Sequence, residues 1–309
     1  MPNILITTSS FGDSCPALLA SMEAAGLKAV LNPYKRKLTE PEVSALIDEY
    51  EPIGMIAGVE PLTRNVLERA KKLKVISRCG IGMDSVDLDA AQEFGMTVKN
   101  TPEAPSIAVA ELTLGMILSL LRGIHVSDSA IRRDSWERPM GSLLYGKTVG
   151  IIGCGRIGSY VARLLSAFGC RVLGCDTVCT VGDCFSLEDV ETILLESDVI
   201  TLHIPYSPEA HHFMDNARIK SMKRGAVLVN ASRGGLVDEE ALYEALKSGH
   251  LSGAALDCFG AEPYVGPLKD LNNTLLTGHI GSYAKEARVM MEKQAVENLL
   301  LELKAHSAK

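Results

Sequence analysis

Three polar residues, Arg233, Glu262 and His279, each follow a short apolar run that predicts a strand. A guanidinium can hold a carboxylate through two parallel hydrogen bonds, and an imidazole can exchange a proton near neutral pH. A carboxylate can orient that imidazole and stabilise its charged form. Because parallel strands present their carboxyl ends at one edge of a sheet, we predict that the three residues form a catalytic set. Taken singly, they could equally be a loop ion pair, a turn acid before Pro263 and a buried histidine.

A glycine-rich turn precedes these residues in the chain. Gly153, Gly155 and Gly158 form the pattern G-x-G-x-x-G directly after the apolar segment 148–152. The first glycine permits a tight turn, the second lets a pyrophosphate approach the backbone, and the third lets helix and strand pack closely. The pattern in this context predicts a dinucleotide site.

The residues around this turn favour NAD as the cofactor. Arg156 and Ile157 open the predicted helix, whose positive end suits a diphosphate. Asp176 ends the next apolar segment, where its carboxylate can accept hydrogen bonds from both ribose hydroxyls. The same carboxylate would repel the additional phosphate of NADP, and no arginine directly follows it. We therefore predict NAD rather than NADP.

The composition favours a folded protein and disfavours several partners. The 309 residues are 47% hydrophobic and 22% charged, with a net charge of −7 and no basic run, so nucleic acid and anionic membranes are not expected to bind. Polar residues interrupt the apolar stretch 107–121, which we interpret as a buried interdomain helix. The N-terminus carries no basic leader, which predicts a cytoplasmic protein.

The eight cysteines include a group of four, Cys170, Cys175, Cys179 and Cys184, whose spacing contains no C-x-x-C pair. This spacing predicts reduced thiols and no metal site.

Alternating apolar strands and helices predict two α/β domains. Strand and helix patterns alternate before residue 100 and again after Lys147, which indicates two doubly wound, Rossmann-like parallel sheets with a cleft between the domains. Apolar residues at helical spacing over 285–303 predict a final helix that returns to the first domain. We therefore assign residues 1–100 and 284–309 to a substrate-binding domain and 101–283 to an NAD-binding domain.

Nearly the whole chain resembles the D-isomer-specific 2-hydroxyacid dehydrogenases, and most closely their phosphoglycerate dehydrogenase branch. The resemblance rests on several short segments, namely Ser77–Asp84, Asn100–Pro102, Ala110–Leu112, the glycine turn, Leu202–Pro205, Asn230–Asp238, Ala255–Asp257, Glu262–Pro263 and His279–Gly281. It implies Arg233, Glu262 and His279 as the catalytic residues.

The resemblance also implies binding residues. It places Asp257 near the nicotinamide carboxamide, and it implies further cofactor-binding positions at His203, Pro205, Ala231, Ser232 and Gly281. Backbone amides around Gly80, Ile81 and Gly82 are expected to grip the substrate carboxylate from the first domain.

The implied activity is hydride transfer between C2 of a D-2-hydroxy acid, such as 3-phosphoglycerate or glycerate, and the nicotinamide. A corepressor-like NAD(H) sensor and a dehydrogenase of phosphite or sulfolactate remain alternatives. A homodimer is expected, because the helix over 107–121 and the following segment form a dimer contact in the family. With the chain ending at Lys309, feedback through a C-terminal regulatory domain is not expected.

The predicted substrate loop departs from the phosphoglycerate branch. Glu60 stands where some of those enzymes carry a basic residue for the phosphate, while Arg78 and Arg138 remain possible anion partners. Glu60 is either a solvated loop acid or a substrate contact. In the second case it disfavours a distal phosphate and favours hydroxyl or cationic groups.

Overall fold

The computed structural model describes residues 1–13, 15–178 and 184–307, so Cys179 of the cysteine group lies outside the described residues. The chain divides into two compact units. The first consists of Met1–Pro105 with Ser282–Lys309, and the second of Ser106–Gly281. Each unit contains a parallel sheet with helices between the strands, which confirms the predicted α/β class.

The first unit contains a five-stranded parallel sheet. Its strands are β1 (Asn3–Ile6), β2 (Lys28–Leu31), β3 (Gly54–Ala57), β4 (Val75–Arg78) and β5 (Thr97–Lys99). The spatial order is β2-β1-β3-β4-β5. The order reverses between β1 and β3, and in such sheets the crevice beside the reversal is where ligands bind.

Helices complete the first unit. They are α1 (Ala17–Ala24), α2 (Glu40–Tyr50), α3 (Arg64–Arg69), α4 (Leu88–Glu93) and the C-terminal α11 (Lys285–Ser307). Helix α11 packs Met291 and Leu299 into the apolar cluster that contains Ile4 and Ile56. The C-terminal helix is therefore part of the core of the first unit.

The second unit contains a seven-stranded parallel sheet. Its strands are β6 (Thr148–Ile152), β7 (Arg171–Cys175), β8 (Ser186–Leu187), β9 (Val199–Leu202), β10 (Val227–Asn230), β11 (Gly253–Leu256) and β12 (Thr274–Leu276). The spatial order is β12-β11-β10-β9-β6-β7-β8, so the order reverses between β6 and β9. The central strands β9, β10 and β11 are fully buried, as expected for a sheet covered on both faces.

Helices cover this second sheet. They are α6 (Ile124–Ile131), α7 (Arg156–Ala167), α8 (Val190–Glu196), α9 (Asn216–Ser221) and α10 (Glu239–Lys247). The carboxylate of Asp238 accepts hydrogen bonds from the amides of Glu240 and Ala241, so it caps α10 as the sequence predicts.

Helix α5 (Ala104–Arg122) is the apolar stretch noted in the sequence. Among the described residues it is the one helix long and apolar enough to cross a membrane by length and composition, and 56% of its most apolar window is buried in the protein. Met116 and Ile117 of this helix belong to the apolar core of the second unit. That burial is typical of a core helix.

Candidate active site

The glycine turn lies at the strand reversal of the second unit. Gly153 follows β6 with a φ of +97°, and a β-carbon there would lie 2.6 Å from the carbonyl carbon of His203, which follows β9. A β-carbon on Gly158 would overlap the carbonyl oxygen of Gly153. Glycine is therefore required at both positions, once for backbone conformation and once for helix–strand packing.

The geometry of the turn fits a dinucleotide. No atom of the described residues lies within 4 Å of a β-carbon placed on Gly155, so the backbone is open to a diphosphate there. Helix α7 begins at Arg156, and its first amides include that of Ile157. The carboxylate of Asp176 accepts hydrogen bonds from the amides of Cys154, at 2.7 Å, and Val178, at 2.8 Å. Asp176 is thereby fixed at the end of β7, beside the glycine turn, where an adenosine ribose is expected.

His203 offers a buried polar atom beside this turn. Its amide donates to the carbonyl of Ile152 at 2.7 Å, and its Nε2 lies 3.0 Å from the hydroxyl of Thr201. Nδ1 is buried and has no hydrogen-bond partner among the described residues. Burial lowers the pKa of His203 to about 3, so the ring is neutral at ordinary pH. A buried nitrogen left without a partner is consistent with a site that receives another group.

Other cofactor positions implied by the resemblance lie on neighbouring loops of the same edge. Pro205 is exposed after β9, and Ala231 and Ser232 follow β10. Gly281 is buried, and its amide donates to the carboxylate of Asp257. These positions all lie beyond the carboxyl ends of the strands, on the same edge as the glycine turn.

Asn230 shapes the loop that carries Arg233. Its side chain is completely buried at the end of β10 and donates to the Arg233 carbonyl at 2.7 Å. Its Oδ1 accepts hydrogen bonds from the amide and hydroxyl of Ser232. A β-carbon on Gly234 would overlap the backbone of Phe259, so glycine allows this loop to lie against the segment that leads to Glu262.

Glu262 and His279 form a hydrogen-bonded pair. The Nδ1 of His279 lies 3.0 Å from Oε1 and 3.1 Å from Oε2 of Glu262. The amide of Phe259 donates to Oε1 at 3.1 Å and so helps to hold the carboxylate in place. A carboxylate only accepts, so Nδ1 carries the proton, and Nε2 of the neutral ring is left with a lone pair.

The three candidate catalytic side chains share one neighbourhood. Arg233 follows β10, Glu262 follows β11 and His279 follows β12, and these three strands are neighbours in the sheet. The structure therefore brings Arg233, Glu262 and His279 to the same edge of the second sheet.

Asp257 anchors the backbone that carries His279. His279 has a φ of +55°, which is unfavourable for a residue with a side chain. The buried carboxylate of Asp257 accepts hydrogen bonds from the Thr277 hydroxyl at 2.6 Å, the Ile280 amide at 2.8 Å and the Gly281 amide at 2.7 Å. These bonds on both sides of His279 hold it in the strained conformation.

In the first unit the structure contradicts one of the two readings of Glu60, that of a solvated loop acid. The side chain is only 1% exposed, so it is not a solvated loop acid. Its Oε1 accepts hydrogen bonds from the Thr7 hydroxyl and, at 3.2 Å, from the Gly58 amide, so the carboxyl group anchors its own loop rather than pointing outward. Burial raises the pKa of Glu60, although the Thr7 hydroxyl and the charge of Arg78 act in the opposite direction.

Arg78 and Gly80 also differ from the prediction. Arg78 is 7% exposed, and its guanidinium donates to the Cys79 carbonyl and packs against Gly80, where a β-carbon would lie 2.6 Å from Nη1. The Gly80 amide already donates to the Thr101 hydroxyl at 2.8 Å. Within the described residues, the amides of Ile81 and Gly82 donate no hydrogen bond, so these two remain as donors for a substrate carboxylate.

Sequence reasoning missed several supporting residues. The sequence analysis includes Asn230 only as part of a motif and Asp257 only as a neighbour of the cofactor. It does not pair Thr101 with Gly80. Glu239, at the start of α10, accepts a hydrogen bond from the Gly260 amide at 2.7 Å and so fixes the loop before Glu262. Their one signal in the sequence is position, since Asn230, Asp257 and Thr101 lie at or just after the end of a strand and Glu239 begins a helix.

No group of three or more His, Cys, Asp or Glu side chains suited to a metal ion occurs within the described residues. The seven cysteines in that part of the chain are thiols.

Comparisons with known proteins show the family to which this chain is similar. The family model described as "D-isomer specific 2-hydroxyacid dehydrogenase, NAD binding domain" matches residues 114–281. A D-3-phosphoglycerate dehydrogenase of Methanocaldococcus jannaschii is 42% identical over 259 residues, which cover 81% of this chain and 49% of that protein. A hydroxypyruvate reductase of Thermotoga maritima is 36% identical, with 86% of this chain and 89% of that protein covered.

A solved structure shows the same similarity over the whole chain. The TT0316 protein from Thermus thermophilus has a TM-score of 0.90 and 37% identity, with 98% of this chain and 97% of that chain covered. By contrast, this chain spans about half the length of the phosphoglycerate dehydrogenases that it matches.

The second unit is thus an NAD-binding domain of the doubly wound type, with a histidine–carboxylate pair and an arginine at its ligand edge. The chain belongs to the D-isomer-specific 2-hydroxyacid dehydrogenase family.

Proposed function

We propose that this chain is an NAD-dependent oxidoreductase that interconverts a D-2-hydroxy acid and its 2-oxo acid. The observation that carries the proposal is the hydrogen-bonded pair of His279 and Glu262 at the edge that also carries the glycine turn and Arg233. When bound, NAD exchanges a hydride with C2 of the substrate. Gly153, Gly155, Gly158 and Asp176 would hold its diphosphate and ribose.

The chain's own residues supply binding and proton transfer. The guanidinium of Arg233 binds the substrate carboxylate in two-point geometry. In oxidation, Nε2 of neutral His279 takes the proton of the C2 hydroxyl, and Glu262 stabilises the imidazolium that forms. In reduction, the imidazolium returns this proton to the developing alkoxide.

A substrate screen tests this function. We expect the protein to oxidise NADH with at least one of glyoxylate, hydroxypyruvate or pyruvate, and we expect His279→Ala to lower kcat by about 10²–10⁴-fold, the usual range for a general acid–base group. His211→Gln, which changes an exposed histidine of the same unit, should leave kcat unchanged. Tight NADH binding without turnover of any acid would favour the sensor alternative. Turnover only of phosphite or sulfolactate would favour the related-anion alternative.

We further propose a homodimer that acts in the cytoplasm. Exposed apolar side chains follow α5, and a partner subunit would cover them; they are Ile124, Ile131, Trp136, Met140, Leu143 and Tyr145. The thiol state of the described cysteines supports a reducing compartment. Light scattering at micromolar concentration should give twice the monomer mass, and a monomer mass would contradict the dimer.

A further inference from the structure

The peptide between Phe259 and Gly260 lies shortly before Glu262 in the chain, and Glu239 holds it from a neighbouring helix. Glu239 is the first residue of α10 and accepts a hydrogen bond from the Gly260 amide at 2.7 Å. Resting on the proposed function, we infer that Glu239 is a positioning residue of the reaction, which acts on His279 through Glu262.

The loop that carries Glu262 receives little support from the apolar core. Phe259 is buried in the core of the second unit, but residues 260–263 are exposed. A segment with few buried apolar contacts opens easily unless hydrogen bonds hold it. The position of the Glu262 carboxylate therefore depends on the hydrogen bonds of this loop.

Two of these hydrogen bonds lie on either side of Phe259. Its amide donates to Oε1 of Glu262 at 3.1 Å, and the peptide on its carbonyl side donates to Glu239 through the Gly260 amide. The same Oε1 lies 3.0 Å from Nδ1 of His279. The contacts thus run from α10 through the backbone of Phe259 to the carboxylate, and from there to the imidazole.

Two further contacts involve the same segment. A β-carbon placed on Gly234, the residue after Arg233, would overlap the peptide between Phe259 and Gly260. The ring of Phe259 stacks on that of Tyr264, with the centroids 4.3 Å apart and an angle of 24° between the planes. Neither contact provides the Gly260 amide with an acceptor, so they do not replace Glu239.

Helix α10 gives Glu239 a rigid base. The carboxylate of Asp238 caps the first turn of this helix, and Leu242 and Leu246 are buried in the apolar core. A group held from such an element is placed more precisely than one held from a loop. Glu239 therefore ties an exposed loop to a buried helix.

Loss of this hydrogen bond should slow proton transfer and leave cofactor binding intact. Glu239→Ala removes the acceptor, and we expect kcat with the best substrate of the screen to fall about tenfold, because small displacements of catalytic groups are costly. The Kd for NADH should stay unchanged, since the glycine turn and Asp176 follow β6 and β7 rather than β11. Steady-state kinetics and fluorescence titration give the two quantities.

Two variants separate the hydrogen bond from the charge. Glu239→Gln keeps an oxygen that can accept from the Gly260 amide, so it should recover most of the lost kcat. Glu240→Ala removes the next carboxylate of the same helical turn, which is exposed, and should leave kcat unchanged. Equal kcat values in Glu239→Ala and Glu240→Ala, or no recovery in Glu239→Gln, would overturn the inference.

A double-mutant cycle tests whether Glu239 acts through Glu262. In a chain that carries Glu262→Ala no carboxylate remains to be positioned, so adding Glu239→Ala should change the rate less than about twofold. Single turnovers with enzyme in excess of NADH measure these slow variants, and urea unfolding monitors their stability. A tenfold loss in both backgrounds would show a general structural role and overturn the inference. Turnover of no 2-oxo acid by the unaltered chain would overturn the proposed function as well.

Discussion

The two sheets have the same kind of strand reversal, but the reversals differ in what occupies them. In the second unit the reversal between β6 and β9 ends in a glycine turn, with open space over Gly155. In the first unit the reversal between β1 and β3 is filled by the carboxyl group of Glu60, held by Thr7. Topology therefore provides the place for a ligand, and the side chains of the loops decide whether one can enter.

Asp257 in the second unit and Glu60 in the first are both buried at this edge, and we expect their variants to differ most in kcat. Asp257→Asn replaces one accepting oxygen with an NH2 group, so the amide of either Ile280 or Gly281 loses its acceptor. His279 should then shift, and kcat should fall about a hundredfold with hydroxypyruvate. Glu60→Gln changes only a buried group that holds its own loop, so it should lower kcat with this substrate less than about tenfold. Steady-state kinetics measure both values, and the midpoint of urea unfolding serves as the folding control. Equal losses of kcat would show that Asp257 does not position His279.

Replacing one glycine at each reversal with alanine tests whether the space beside that glycine is open or filled. Gly155→Ala meets no atom of the described residues, so stability should change by less than about 0.5 kcal/mol while the Kd for NADH rises about tenfold. Gly58→Ala forces a β-carbon against Glu60, so the protein should lose about 1–3 kcal/mol of stability with NADH affinity unchanged. Urea unfolding and fluorescence titration give the two quantities. The contrast fails if Gly155→Ala destabilises the fold or binds NADH normally.

The smallest effect, that on the pH dependence of kcat/KM, is expected when His203 is replaced. Because burial lowers the pKa of His203 to about 3, its ring does not change charge between pH 5 and 9. His203→Gln should therefore leave the midpoint of the pH dependence of kcat/KM in place, even if KM for NADH changes. If His203→Gln moved the midpoint, the assignment of the proton transfer to His279 would be wrong.

Much of the fold could be predicted because buried parallel strands are continuous apolar runs. Strand β6, for example, has the bounds of the apolar segment 148–152 that precedes the glycine turn. The sequence does not predict the two-residue strand β8, because Ser186 and Leu187 are exposed and do not form an apolar run. The three-residue strand β5 is only half-buried, and its pattern is equally weak.

The site was predictable to the level of residue types and loops, but not to the direction of each side chain. Arg233, Glu262 and His279 could be located because each follows a strand. The inward turn of Glu60 depends on Thr7, which is 53 residues away in the chain, and the use of the Gly80 amide depends on Thr101. The left-handed backbone of His279 depends on Asp257. Such contacts are set by tertiary packing, which no local pattern records.

The pH dependence of kcat/KM in both reaction directions tests the central assignment most directly. His279 must be neutral to accept the hydroxyl proton and charged to return it. We predict that kcat/KM for oxidation of the hydroxy acid rises with pH while kcat/KM for reduction of the oxo acid falls, with a shared midpoint. Parallel profiles, or profiles that stay unchanged in His279→Ala, would contradict the assignment of His279 as the acid–base group.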